Sequence, residues 1–366
     1  MRVRDYDRIF FMLTSAIVIS GLFILASASL SVSANRYGQS YYYLFHQIIY
    51  GLVPGLILFY LALRIPYKYL RNFALPLLLA AIFMMFLVFV PNIGVYHGGA
   101  KRWITLFGFV TFQPSEFLKF AYIVYLSAWF ETRTKELKSF KFGLLPFAIM
   151  TAFVGSFLIM QPDIGTLGVL IASIFALYFL SGGEMKQLGI LAGAGAVILA
   201  LLIWIEPYRM ERFTTFLHPE ANIQGSGYQI NQALIAAGSG GLFGRGFGMS
   251  RQKFSYLPEP IGDSIFAVFA EETGFFGSIV FLVLLLLFFV RGIKITRSAP
   301  DSFGRYLGAG LLFLIIFQAI INISAIIGLV PLTGIPLSFV SYGGSAMMIT
   351  LMEIGVIFNI SKQKYI

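Results

Sequence analysis

Long apolar runs separated by brief polar punctuation set the character of this chain. In windows of about 20 residues, the length needed to cross a bilayer core, they predict ten membrane helices. These lie at about 9–31, 43–63, 72–91, 113–131, 142–160, 164–181, 186–205, 264–290, 305–329 and 337–360. The start, Met1 to Arg8, is basic like a secretory leader, but its apolar run reaches Leu30 and is read as a retained span. Two connections are long, at 91–112 and 206–262. A featureless loop of the second length is uncommon, so short amphipathic or re-entrant pieces are expected in it. The pattern predicts an all-α integral membrane protein, one domain over 1–366, with about ten transmembrane helices and a long extracytoplasmic loop between spans 7 and 8. No internal repeat is visible.

Composition supports this: 58% of residues are hydrophobic and 11% charged. The net charge of +10 suits anionic lipid or phosphate partners, membrane lipids included, and no nucleic-acid partner is expected. With the N-terminus inside, seventeen of the 26 Lys and Arg fall on inner segments, which predicts both termini in the cytoplasm. Seven of the eight outer cations sit in the two long loops: Lys101, Arg102, Arg209, Arg212, Arg245, Arg251 and Lys253. The chain has no cysteine, so disulfides, zinc-thiolate sites and Cys nucleophiles are excluded. His46, His97 and His218 show no metal-ligand spacing, and there is no GxxxxGK[ST] nucleotide loop.

Asp263 follows Pro258, Pro260 and Gly262, which stop regular structure, and precedes the apolar run from Ile265 to Val290. It therefore stands at the mouth of a membrane helix, either as a cap favouring the helix dipole or as a reactive group. Gln113-Pro114-Ser115-Glu116-Phe117-Leu118-Lys119 opens the fourth span and sets Glu116 and Lys119 on one helix face. A charge within a span costs roughly 2.5–3.5 kcal/mol. The two either cancel as a structural ion pair, or Lys119 offers its ammonium to an anionic head group while Glu116 orients it. Asp163, in Gln161-Pro162-Asp163-Ile164-Gly165-Thr166, suits an N-cap. Gathered together, Glu116, Asp163 and Asp263 could instead share a divalent cation that bridges to phosphate. The segment 238–253 combines six glycines with Arg245, Arg251 and Lys253. Its backbone N–H groups could converge on an anion, although flexibility or close packing explains many such loops. Glu271, Glu272 and Glu353 are expected to face the bundle interior against partners, without a catalytic role.

These residues resemble a known family. Asn322, Gly328, Pro331, Gly334 and Ser341-Tyr342-Gly343-Gly344-Ser345-Ala346 are similar to the C-terminal signature of the SEDS proteins (FtsW, RodA and SpoVE). Arg102-Trp103, the 113–119 and 161–166 segments, and Leu257-Pro258-Glu259 followed by Asp263 match its other landmarks in order. Where members commonly carry a histidine or threonine and then Asp-Phe, this chain reads Ile261-Gly262-Asp263-Ser264. The stretches 232–241 and 250–253 look more like the division branch, FtsW, than the elongation branch, RodA.

The resemblance implies a peptidoglycan glycosyltransferase that polymerises lipid II into glycan strands outside the cytoplasmic membrane. It implies a class B penicillin-binding protein (a transpeptidase) as partner, and a divalent cation, Mg or Mn, with no nucleotide and no haem. By motif match Asp263 takes the family's essential aspartate, while Arg102, Glu116 and Lys119 fall on its polar cavity positions. The expected chemistry is attack by a sugar hydroxyl on a donor joined to its isoprenoid, undecaprenol, through pyrophosphate. Asp263 is then the general base, and Arg102 and Lys119 contact the pyrophosphate. Lys101, Arg245, Arg251 and Lys253 are further candidates for holding the lipid-linked sugars. Rival readings are a lipid II flippase, which needs polar groups continuing through the membrane, and a non-catalytic scaffold for a transpeptidase.

Overall fold

The computed structural model describes residues 6–362 apart from 98–99, 107–109, 223–224, 226 and 255. Arg2, Arg4 and Lys364 of the charge count, and Gly98, Gly99 and Ser255 of the two long loops, lie outside the described residues. Helices occur at all the expected span positions: α1 Arg8–Tyr37, α2 Tyr42–Arg64, α3 Ala74–Leu87, α4 Pro114–Arg133, α5 Phe140–Met160, α6 Ile164–Leu180 and α7 Met185–Ile205. After the long loop come α10 Ile265–Arg297, α11 Ser302–Ile326 and α12 Gly344–Lys362, with α8 Pro207–Leu217 and α9 Tyr228–Ser239 inside the loop. Seven of these are long and apolar enough to cross a membrane. Of the others at span positions, α3 and α6 are shorter, and α4 carries Glu116, Lys119, Glu131 and Arg133.

Local chemistry sets the helix ends. Asp7 caps α1 through the Phe10 N–H at 3.0 Å, and Arg291 of α10 grips the same carboxylate at 2.9 and 2.8 Å. Gly38 closes α1 in the left-handed region at φ 67. Asp163 and Asp301 cap α6 and α11 through the N–H groups of Thr166 and Gly304. The centre of the molecule is α11 and α12, most of whose residues are buried. In contrast, α7 buries only Gln187. The first long loop is not irregular. It forms a three-stranded antiparallel sheet, β1 Gly94–His97, β2 Ala100–Leu106 and β3 Val110–Phe112. Its strands are short, which is why helical periodicity did not reveal them.

The helix α10 is broken at Gly274, where φ 69 and ψ −165 lie in a region essentially reserved for glycine. Residues 241–246 supply the hydrogen bonds that the break removes. Arg245 and Gly246 donate their N–H groups to the Glu271 and Glu272 carbonyls, each at 3.0 Å. In return, Phe275 and Phe276 donate to the carbonyls of Gly241 and Leu242 at 2.9 and 3.1 Å. A Cβ at Gly274 would lie 2.2 Å from the Gly244 nitrogen. Gly274→Ala should therefore cost at least the roughly 1–3 kcal/mol of such backbone strain. A thermal melt in detergent should show a clear loss of Tm, whereas Gly195→Ala in α7, with open space around it, should be neutral.

Candidate active site

Asp263 sits in a non-helical turn immediately before α10, and the C-terminal signature holds that turn by its backbone. The Ser341 hydroxyl donates to the Gly262 carbonyl at 2.7 Å, and the Tyr342 N–H donates to the Ile261 carbonyl at 2.8 Å. The Asn322 amide donates to the carbonyls of Asp263 (2.9 Å) and Ile335 (2.8 Å). Ser341 is itself fixed, since its oxygen accepts the Leu337 N–H at 2.8 Å. The Asp263 side chain is left free of the cap role: its oxygens accept from Gln229 Nε2 of α9 at 3.1 and 3.2 Å. Burial, and to a lesser degree the neighbouring Glu259 carboxylate, push its pKa up to about 6, while the Gln229 bond and the Arg212 charge oppose the rise.

Gln229 also lines a cavity of about 240 Å³ with Arg212, Phe216, Ile230, Val330 and Leu332. Arg212 lies over the Tyr208 ring at 4.8 Å and donates to the Leu332 carbonyl at 2.9 Å. The cavity's lining combines the Glu211 carboxylate, the Arg212 guanidinium and an apolar wall, and Gln229 links it to Asp263. One side of the cavity is formed by α8, none of whose residues is buried in the protein. Gln229 and Arg212 were not singled out from the sequence. Arg212 was counted only as one of seven loop cations, and nothing local to Gln229 shows that α9 folds back onto Asp263.

Lys119 does not present a free ammonium. It is 4% exposed, 3.0 Å from Glu116 Oε1 and 2.6 Å from Gln318 Oε1. Gln318 in turn donates to the Pro336 carbonyl at 3.1 Å. Gln318 and Asn322 are four apart on α11, about 6 Å along one face. The Lys119 network and the Asp263 turn are thus anchored side by side on the 335–336 segment. Glu353, buried in α12, faces Lys119 and Glu116 electrostatically and makes no hydrogen bond among the described residues.

Arg102 in β2 donates to the carbonyls of Gln161 (3.2 Å) and Pro162 (2.5 Å), tying the sheet to the turn before α6. In that turn Asp163 acts as the cap, and Gly165 packs against Thr333 and Ile335. Lys101 is exposed on β2, and Arg251 is exposed in the loop.

Three expectations need correction. Lys253 is not available to a sugar: it is 1% exposed and bound to Glu272 (2.7 Å), Ser27 (3.0 Å) and the Gly248 carbonyl (2.8 Å). The glycine-rich segment does gather N–H groups around an anion, but the anion is internal. The Glu271 carboxylate accepts the N–H groups of Arg251 and Gln252 and the Ser250 hydroxyl, with Arg245 Nε 3.4 Å away. Two adjacent carboxylates buried at a helix break must be matched by donors, and the loop supplies them. Finally, Glu116, Asp163 and Asp263 do not assemble a cation site. Glu116 is held by Lys119, Asp163 caps α6, and no three acid or histidine side chains among the described residues group closely enough to hold a metal ion. Those three carboxylates therefore share no cation, and no reaction step is derived through one.

The buried pair gives a test. Lys253→Met leaves Glu272 buried without its ammonium, and Glu272→Leu leaves the reverse, each costing about 3–5 kcal/mol. The double variant should recover much of that loss, which thermal denaturation of the four proteins as a double-mutant cycle would measure.

Comparison with known proteins agrees with this geometry. The FtsW/RodA/SpoVE family model, described as "Cell cycle protein", matches residues 7–366. Stage V sporulation protein E of Bacillus subtilis (strain 168) is 36% identical over 357 residues, covering 97% of this chain and 97% of its own. A probable peptidoglycan glycosyltransferase FtsW of Geobacter sp. (strain M18) is 37% identical over 363 residues, covering 98% of each. A chain from the structure described as "Structural coordination of polymerization and crosslinking by a peptidoglycan synthase complex" superimposes with a TM-score of 0.81 at 27% identity, covering 98% of both. The signature that holds the Asp263 turn and the match along nearly the whole length place this chain in the SEDS family of multi-pass membrane proteins, alongside FtsW, RodA and SpoVE.

Proposed function

We propose that this protein is a peptidoglycan glycosyltransferase that polymerises lipid II at the outer face of the cytoplasmic membrane, with both termini in the cytoplasm. One observation carries the reading. The Asp263 carboxylate is turned away from capping α10 and toward Gln229, at the edge of a cavity that combines a guanidinium with an apolar wall. Lipid II has these same three needs: a base for a sugar hydroxyl, a cation for pyrophosphate, and a greasy surface for isoprenoid. The relatives named for this activity support it.

The acceptor hydroxyl attacks the anomeric carbon of the lipid-linked donor as Asp263 takes its proton. The carbon–oxygen bond to pyrophosphate breaks, and its electron pair leaves with the phosphate. Arg212 is the cation best placed toward the leaving group. Arg102 and Lys119 act at one remove, by fixing the turns at 161–162 and 335–336. Glu116 positions Lys119. Gln229 holds the carboxylate's orientation before attack. A class B penicillin-binding protein is the proposed partner, and the division-type relatives favour a role in septal rather than lateral wall growth.

A flippase would draw on the Glu116–Lys119–Glu353 group, which extends polarity into the bundle. Its members are sealed, at 3%, 4% and 4% exposed, and none lines the cavity beside Asp263. Lipid II polymerisation by the purified protein with its partner separates the readings. Asp263→Asn should abolish glycan product while the protein still folds; undiminished product would remove Asp263 as the base. Because the base acts when ionised, kcat/KM should fall about tenfold per pH unit below about 6 and level off above it. A flat profile between pH 5 and 7 would contradict the assignment.

A further inference from the structure

We propose that a second cavity, beside Pro260, binds the sugar units of the growing glycan chain. This rests on the polymerase reading above. The cavity, of about 300 Å³, is bounded by Ser31, Asn35 and Arg36 at the end of α1 and by Leu257 and Pro260 of the loop leading to Asp263. Lys253 also borders it, but its ammonium is spent on Glu272. The groups that face a ligand are a hydroxyl, an amide and a guanidinium.

An aromatic cluster stands next to this wall. Tyr37 stacks on Tyr42 at 3.8 Å, and Tyr43 meets the edges of Tyr42 and Tyr342 at 5.6 and 5.0 Å. Arg36 donates to the Tyr43 hydroxyl at 3.1 Å, and Tyr37 and Tyr41 are 45% and 47% exposed. An interfacial belt accounts for tyrosines at a membrane surface. It does not account for rings stacked on one another and wired to the reaction turn. Here Tyr342 shares a 2.9 Å hydrogen bond with His46 Nδ1 in α2, and its N–H holds the Ile261 carbonyl two residues before Asp263.

A pyranose offers an apolar C–H face and a rim of hydroxyl and acetamido groups. Exposed aromatic rings suit the face, and the amide, hydroxyl and guanidinium suit the rim. A phosphate is disfavoured, because the guanidinium is already shared with Tyr43. The cavity beside Gln229 has the cation and aliphatic wall that a lipid pyrophosphate needs. The one beside Pro260 takes the part of the substrate that carries neither. Two such sites, one joined to Asp263 through Gln229 and one lined by the loop that leads to Asp263, would keep the polymer attached between successive additions.

The test reads chain length and sugar binding on the full chain in proteoliposomes. Losses at a binding site act mainly on the off-rate, so Tyr37→Ala and Arg36→Gln should shorten the glycan made from lipid II about fivefold. Tyr37→Phe, which keeps the ring, should make chains of wild-type length. Chitotetraose, a soluble β-1,4-linked N-acetylglucosamine tetramer, should bind the wild type and Asp263→Asn alike and bind Tyr37→Ala and Arg36→Gln about fivefold more weakly. No chitotetraose binding by the wild type, or equal binding by all four proteins, would overturn the proposal. Tyr37-dependent binding by a protein that makes no polymer would instead sink the polymerase reading and leave the sugar site in place.

Discussion

A peptide carbonyl buried in a membrane protein must find a donor, and that requirement governs this molecule. The turn at 261–263 is not helical, so it cannot satisfy its own backbone. Three residues do so from outside: Ser341 and Asn322 through their side chains, and Tyr342 through its main chain. Once the turn's backbone is bound in this way, the Asp263 carboxylate is not needed for capping and can be aimed elsewhere. The same rule operates at Gly274, where a broken helix would expose carbonyls and N–H groups that residues 241–246 take up. Much of the polar sequence that looks like surface decoration is backbone repair.

This explains which parts of the molecule could be read from the sequence. The helices were legible because an apolar run of about 20 residues has few alternatives in a bilayer. The Glu116–Lys119 pair was legible because a spacing of three fixes a shared face. The glycine-rich segment was legible as an N–H-rich loop but not as to its target, since Glu271 and Glu272 lie on the far side of Asp263 in sequence. Lys253 failed for the same reason: its partners Ser27 and Glu272 are 226 and 19 residues away. Periodicity describes one element at a time, whereas these contacts are agreements between elements. Gln229 and Arg212 could have been found only by knowing that the two loop helices fold back over the Asp263 turn.

Electrostatics inside the bundle follows one design. Two pairs of buried charges are matched locally, Lys119 with Glu116 and Lys253 with Glu272, and each pair also reaches a neutral polar group, Gln318 or Ser27. Such pairs add little net stability over apolar packing, but breaking one is costly. They therefore act as registration points: α4 is keyed to α11 and the glycine-rich loop to α1. Asp263 departs from this pattern. Its contacts are a neutral amide and the Ser264 hydroxyl, and its raised pKa reflects a carboxylate kept partly desolvated with no cation bonded to it.

The interruption of α10 has a consequence for how the protein meets the bilayer. Residues 275–297 rise about 34 Å as a helix, which by itself exceeds a hydrocarbon core of about 30 Å. The nine residues ahead of Gly274 are thus relieved of any duty to traverse lipid. They form a separate bracket, glued to the loop rather than to the rest of the rod. The glycine-rich loop thus sets the chemistry-bearing end, and the helix beyond the break supplies the anchorage.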